Sequence, residues 1–235
     1  MPMRCIGESG RESNEMADIY YNIALFGGTF DPFHMGHYEL LINLNRELAP
    51  DKIYIIPTGH PYFKEREGKS VSPAAERIDM TKAGLEDLNI PWEISAVETD
   101  KDAPSYTIET ISYFREEGLP EEATGKELRI WFLCGSDVLF DIDKWHRFRE
   151  ILSLVTLAVV PRGDDDIDQV RSRKKELEEV YDAKIYISGY RGRNISSTMI
   201  REDPEGHKDL LPEGTYEYIK EQGLYGFSGK QENIF

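Results

Sequence analysis

Two histidines, His34 and His37, close the segment GGTFDPFHMGH at residues 27–37, with Met35 and Gly36 between them. Near neutral pH an imidazole both donates and accepts hydrogen bonds, so two beside a glycine turn can hold an anion. Gly27 and Gly28 have no Cβ, which lets the backbone come close to a ligand. The apolar run Ile23-Ala24-Leu25-Phe26 precedes the turn, and Leu40, Leu41, Leu44 and Leu48 follow it at helical spacing. The order is strand, glycine turn, helix, and a helix N-terminus favours negative charge. A second polar cluster, Ile195-Ser196-Ser197-Thr198-Met199-Ile200-Arg201, offers three hydroxyls and a guanidinium at another helix start. These groups suit phosphate.

The elements that must position them follow from periodicity. Short apolar runs at Tyr21–Phe26, Lys52–Pro57, Trp92–Val97, Leu128–Cys134, Thr156–Val160 and Lys184–Ile187 read as strands. Helical patterns lie between or after them near 37–49, 73–88, 107–117, 167–181, 197–202 and 213–222. Ser72 as cap with Pro73 in the first helical position marks one start, and Gly118 marks a stop. Such alternation implies right-handed crossovers, hence a Rossmann-like, doubly wound parallel α/β sheet in a single domain. Ligands of such sheets bind at the carboxyl ends of the strands. The motifs at 27–37, 58–64 and 135–146 each follow a strand, so they converge on one edge.

GGTFDPFHMGH and ISSTMIR together resemble the two signature motifs of the HxGH nucleotidyltransferase superfamily. IPTGHPYFK (56–64), PSYTIET (104–110), GSDVLFDIDKWH (135–146) and YEYIKEQGLYG (216–226) extend the resemblance toward bacterial nicotinate-nucleotide adenylyltransferases. It covers residues 22–226. Pro61-Tyr62-Phe63 departs from the family's usual two prolines and a histidine before the lysine. The resemblance implies adenylyl transfer from ATP to nicotinate mononucleotide, an in-line displacement that needs positioned cations rather than a catalytic serine. His34, His37 and Arg201 are implied as the catalytic phosphate contacts. Gly27, Gly28, Thr29, Phe30, Gly36, Gly135, Asp137, Ile195, Ser197 and Thr198 are implied around ATP. Lys64, Thr107, Trp145 and His146 are implied around nicotinate mononucleotide, with Arg162 and Arg193 flanking the nucleotide. Trp145 also fits a core position on a helical face with Phe148 and Leu152, and Thr107 fits an ordinary helix start. Mg²⁺ is expected on the ATP phosphates, with no protein metal cage.

The chain has 235 residues, with 28 basic and 44 acidic side chains and a net charge of −16. That balance disfavours nucleic acid, which needs a basic face, but not a nucleotide, which needs only a local cluster. Asp164-Asp165-Asp166-Ile167-Asp168 reads as a solvated loop and acidic first turn rather than a metal site. Two cysteines, Cys5 and Cys134, make a disulfide framework improbable. The first residues lack the apolar core of a signal peptide, and Ile151–Val160 is too short to span a membrane, so a cytoplasmic enzyme is expected. Residues 1–19 read as a disordered extension, 20–227 as the catalytic domain and 228–235 as a flexible tail. A homo-oligomer is left open. Three other readings share the motifs: another acceptor (nicotinamide mononucleotide, phosphopantetheine, or a phosphorylated alcohol with CTP), a tRNA synthetase-like enzyme, and a non-catalytic nucleotide sensor. The short acidic chain and ISSTMIR disfavour the second, and the retained His34, His37 and Arg201 disfavour the third.

Overall fold

Alternation within each strand feeds two core layers, as the period of two requires. In β1 (Tyr20–Gly28), Ile23 and Leu25 enter one layer while Ala24 and Phe26 enter the other. β2 (Lys52–Pro57) divides the same way, Tyr54 and Ile56 against Ile53 and Ile55. The computed structural model describes residues 19–59, 71–101 and 103–227. Within them β3 (Trp92–Ile94), β4 (Glu127–Gly135), β5 (Thr156–Val160) and β6 (Lys184–Ile187) complete the sheet. Its order is β3-β2-β1-β4-β5-β6, and every pairing is parallel. The order reverses direction between β1 and β4, the switch point where such sheets bind ligands.

Helices cover both faces. α1 (Met35–Leu48) buries Leu40, Leu41 and Leu44 in one layer, joined by Leu85 of α2 (Ala74–Leu85). On the other lie α3 (Thr107–Glu116), α4 (Ser136–Asp141), α5 (Phe148–Leu154) and α6 (Ile167–Tyr181). They contribute Ile108, Ile111, Phe114, Leu139, Ile151, Leu152, Val170 and Leu177. Each fully buried aliphatic side chain contributes about 1.5–3 kcal/mol. A third cluster, Met80, Ile195, Ile200, Leu211 and Ile219, joins α2 to α7 (Ser197–Glu202) and α8 (Glu213–Gln222).

Several boundaries differ from the sequence reading, and three of them bear on the site. β3 ends at Ile94, because Ala96 O accepts Asp100 N–H (2.9 Å) and Thr99 Oγ1–H (3.1 Å) and turns the chain. α2 begins at Ala74 with Pro73 as its N-cap; Ser72 N–H is directed instead to the Asp31 carboxylate at 3.3 Å. α1 begins at Met35, so His37 lies in its first turn rather than in a loop. The short helices α4 and α5 did not stand out in the sequence. Residues 1–18, 60–70 and 228–235, including Cys5, Lys64 and nearly all of the extension and tail, lie outside the described residues.

Candidate active site

β1 delivers the glycine turn to the switch point. A Cβ on Gly27 would meet no atom within 4 Å, so this backbone is open to a ligand. Gly28 has another role: a Cβ there would sit 2.6 Å from the Phe30 ring. Phe30, with φ 51°, is buried against Phe26 and Phe33, so its ring cannot reach ATP and only its backbone can. The glycine pair therefore splits into one open position and one packing position.

His34 caps α1, and its ring stacks on that of His37 at 3.7 Å and 18°. His37 Nδ1 accepts the His34 N–H at 3.2 Å. That bond fixes the His37 tautomer with its proton on Nε2 whenever the ring is neutral. Phe26, Phe30 and Phe33 surround the His37 ring at centroid distances of 5.9, 5.1 and 5.3 Å. His34 is 6% exposed, and its Nδ1 has no hydrogen-bond partner among the described residues. Burial, then the charge of Arg162 and more weakly that of Arg193, push its pKa down to about 3. His34 is thus a neutral imidazole at physiological pH, fit to offer one N–H to a phosphate oxygen without adding charge. A Cβ on Gly36 would lie 3.1 Å from the His34 ring and 3.7 Å from Ile195, so this glycine lets α1 pass close to both.

Beneath the turn runs a polar network that the motifs alone did not reveal. Arg77, 1% exposed, donates to Thr29 O (2.8 Å), Thr58 O (2.7 Å), Gly59 O (3.3 Å) and Ser72 O (2.9 Å). One guanidinium thereby ties the β1 turn to the loop after β2 and to the entry of α2. Asp31, also 1% exposed, receives Ser72 N–H (3.3 Å) and the Tyr225 hydroxyl (2.7 Å). Burial and the Asp31 carboxylate raise the Tyr225 pKa, which keeps that phenol a donor. A buried arginine in a helical pattern is the one sequence signal that could have found Arg77.

α7 is tied to the same turn. Ser196 is its cap, accepting Met199 N–H at 3.2 Å. Ser197 Oγ donates to Pro32 O (3.2 Å), and Arg201 Nη1 donates to Asp31 O (2.6 Å). Arg201 also reaches Thr198 Oγ1 (3.3 Å) and lies 3.9 Å from the Asp31 carboxylate. Ser196 is therefore an ordinary helix cap, while Ser197 and Arg201 join the two motifs, with Thr198 beside Arg201. Ile195, 8% exposed, packs in the cluster beneath them.

Across the switch point, Gly135 ends β4 and Asp137 lies in the first turn of α4, 3.2 Å from Arg162. A Cβ on Gly135 would fall 2.5 Å from Asp137 Oδ1. Arg193 pairs with Glu39 at 2.8 Å, and the Tyr190 hydroxyl shares the same carboxylate. Both arginines are thus held by carboxylates, yet both act electrostatically on His34. The acidic loop has structural partners. Asp165 accepts Arg162 N–H (2.7 Å), Asp164 accepts from the Asn194 amide (3.0 Å), and Asp166 caps α6.

The acceptor side is more open. Thr107 is the first residue of α3, and Tyr106, its exposed N-cap, packs its ring on His146 at 4.6 Å. That contact brings the start of α3 beside His146. Trp145 is half-buried and edge-on to Phe132 at 5.8 Å; it packs on the same core as Phe148 and Leu152, as the core reading expects, but from a 3₁₀ turn rather than from a shared helical face. Behind Thr107, buried Glu98 accepts the Thr110 hydroxyl at 2.8 Å, and burial raises its carboxyl pKa. Lys64 lies outside the described residues.

Comparison with known proteins agrees with this geometry. The cytidylyltransferase-like family model matches residues 25–203. A probable nicotinate-nucleotide adenylyltransferase of Clostridium tetani is 36% identical over 205 residues, covering 86% of this chain and 98% of that protein. One from Legionella pneumophila is 32% identical over 220 residues, 87% of this chain and 99% of its own. The structure of Plasmodium falciparum nicotinic acid mononucleotide adenylyltransferase complexed with NaAD superposes with a TM-score of 0.68 at 20% identity, over 88% of this chain and 98% of that one. Sharing the fold with the last and the sequence with the first two, the chain belongs to the nicotinate-nucleotide adenylyltransferases of the cytidylyltransferase-like group.

Proposed function

We infer that this enzyme transfers the adenylyl group of ATP to nicotinate mononucleotide, yielding nicotinate adenine dinucleotide and pyrophosphate. The observation that carries the reading is the junction of the two motifs at the β1–β4 switch point, where α7 is bonded through Ser197 and Arg201 to the turn bearing His34 and His37. In the reaction a phosphate oxygen of nicotinate mononucleotide attacks the α-phosphorus of ATP, and the bond to the bridging oxygen of pyrophosphate breaks. The acceptor phosphate is already a nucleophile, so no side chain must be acylated or phosphorylated.

The catalytic task is to align two anions and to neutralise charge on the leaving group. The open backbone at Gly27 is where the α-phosphate would approach, with N–H donors from the stacked rings of His34 and His37 offered to the phosphates. Arg201 and Thr198 would meet the β- and γ-phosphates, and Gly135 and Asp137 would border the adenosine across the switch point. Thr107, Trp145 and His146 would hold the nicotinate, Lys64 its phosphate. Mg²⁺ would enter with ATP as part of the substrate and screen its phosphate charge. Asp31 is saturated by Ser72, Tyr225 and Arg201, and Asp137 is paired with Arg162, so these carboxylates suit an ion carried by the nucleotide better than a protein cage. A cytoplasmic location fits these substrates; among the described residues no helix is long and apolar enough to cross a membrane. Pyrophosphate release with ATP, Mg²⁺ and each of nicotinate and nicotinamide mononucleotide tests the reading. Turnover with the acid supports it, whereas release with neither acceptor would overturn it.

A further inference from the structure

The terminal motif YEYIKEQGLYG has no part in the chemistry above, yet its Tyr225 hydroxyl ends 2.7 Å from the buried carboxylate of Asp31 in the signature turn. We propose that Tyr225 is a positioning residue for the ATP site: by occupying the Asp31 carboxylate it keeps Arg201 seated on the Asp31 carbonyl and turned toward the phosphates. This rests on the reading of Arg201 as a phosphate contact.

The chain reaches this contact by a rigid route. α8 lies against α2 so closely that a Cβ on Gly214 would fall 2.0 Å from Ala83 O, and Thr215 Oγ1 donates to Met80 O at 3.1 Å. Beyond α8, Gly223, Tyr225 and Gly226 take positive φ angles of 63°, 56° and 72°. The left-handed region is costly for a tyrosine, by roughly 1–2 kcal/mol per residue. The turn that carries this cost sends the phenol back across the domain to Asp31, with Met80 Sδ 3.5 Å from the hydroxyl.

At the far end Arg201 has two acceptors on one residue. It makes a 2.6 Å bond to the Asp31 carbonyl and stands 3.9 Å from the Asp31 carboxylate. A buried carboxylate must be satisfied, and without the phenol the hydrogen bond left to it among the described residues is that of Ser72 N–H at 3.3 Å. Among the described residues the nearest cation able to replace the phenol is Arg201. Closing that gap to an ordinary ion-pair distance would draw the guanidinium off the carbonyl and away from the phosphates. The hydroxyl of Tyr225 therefore acts as a stop that keeps the cation available.

The test is a double-mutant cycle of Tyr225→Phe and Arg201→Ala in the full chain, read first as ATP affinity by calorimetry and then as kcat/KM for ATP. Tyr225→Phe keeps the ring in its apolar cluster and removes only the hydroxyl. It should weaken ATP on the order of five- to tenfold, leave KM for nicotinate mononucleotide unchanged, and have no further effect once Arg201 is alanine. A hydroxyl that merely staples the C-terminus would lower the melting temperature with ATP binding unchanged, or add its effect fully to that of Arg201→Ala; either result overturns the proposal. If Tyr225→Phe folds poorly, Gly223→Ala, which strains the same turn but spares the hydroxyl, must shift ATP affinity in the same direction, and an unchanged affinity would count against the idea. ATP affinity is independent of the acceptor. A coupled cycle without turnover on nicotinate mononucleotide would thus sink the proposed function and leave Tyr225 in place, and turnover without coupling would do the reverse.

Discussion

Arg77→Lys should damage this protein more than any surface arginine change. The guanidinium is 1% exposed and makes three bonds of 2.7–2.9 Å to carbonyls on three separate segments, Thr29, Thr58 and Ser72. A lysine ammonium is a single point and cannot span the three, so at least two of these bonds are lost. Hydrogen bonds to charged groups contribute about 1.5–3 kcal/mol each, which gives a gross loss near 3–6 kcal/mol. Burial lowers the pKa of Arg77, with Asp31 opposing the shift, so the guanidinium already carries a desolvation cost. A lysine at the same depth would carry a similar one, and the two largely cancel. Allowing for partial reach by Nζ, the net destabilisation is about 2–4 kcal/mol. For a chain of this size each kcal/mol shifts Tm by about 2–4 °C, so Tm should fall by roughly 5–15 °C. Calorimetric unfolding, with and without saturating ATP, measures it. Because two of the lost tethers hold loops at the strand carboxyl ends, ATP should restore less than half of the difference. A Tm change under about 3 °C would show that the loops are held by something else, and the argument from Arg77 would fail.

Three further outcomes follow from the site. His34→Ala and His37→Ala should each lower turnover by about a hundredfold or more, about 3 kcal/mol of lost transition-state contact; near-normal rates in both would remove the histidines from the chemistry. His34, with its pKa near 3 in the folded chain against an ordinary value near 6.5, stabilises the fold fully above the higher value. The unfolded chain alone takes up the proton between those limits, so this stability is lost as pH falls from about 6.5 toward about 3, by up to about 1.4 kcal/mol per pH unit. His34→Gln should therefore flatten the profile of Tm against pH over that window, and parallel profiles would refute the burial argument. Nicotinate mononucleotide should be used roughly ten- to a hundredfold better than its amide, because the Thr107 hydroxyl and the first N–H groups of α3 favour an acceptor-only carboxylate. Thr107→Val should narrow that gap, measured as the ratio of kcat/KM values, and equal use of both acceptors by the unmodified enzyme would contradict the pocket.

Periodicity was enough for the sheet, because parallel strands buried on both faces are short apolar runs: Lys52–Pro57, Thr156–Val160 and Lys184–Ile187 have the same limits in sequence and in structure. It was not enough for β3, where Ser95–Val97 reads as extended but the chain turns on local hydrogen bonds of the Ser95 and Thr99 side chains. Nor could it find α4 and α5, six and seven residues long, which offer too few turns for an apolar stripe. The two site motifs were legible because phosphate chemistry draws on few residue types. Their supports were not, since Arg77, Tyr225 and Glu98 act at separations of 19 to 194 residues or through burial that no local pattern encodes. Phe30 shows the converse limit, since only its backbone is left open to a ligand. Its place inside the motif suggested a ligand contact, yet its ring is the filling between Gly28 and His37.

The acidity of the chain and the anions it takes are reconciled by where charge is spent. Against a net charge of −16, the described part of the site holds three arginines, Arg162 and Arg193, whose charges act on buried His34, and Arg201 on the Asp31 carbonyl. Two of the three are partly neutralised by Asp137 and Glu39, and the third rests on a carbonyl, so the field is that of cations held in place rather than cations unpaired. Such fixed charge needs little reorganisation when a triphosphate arrives. A cationic His34 would add a fourth like charge to the group and would have to be desolvated at 6% exposure. Kept neutral by burial first and by the charges of Arg162 and Arg193 second, it can donate to a phosphate at any physiological pH. Arg162 and Arg193 thus help set the protonation state of His34, beside the nucleotide contact proposed for them.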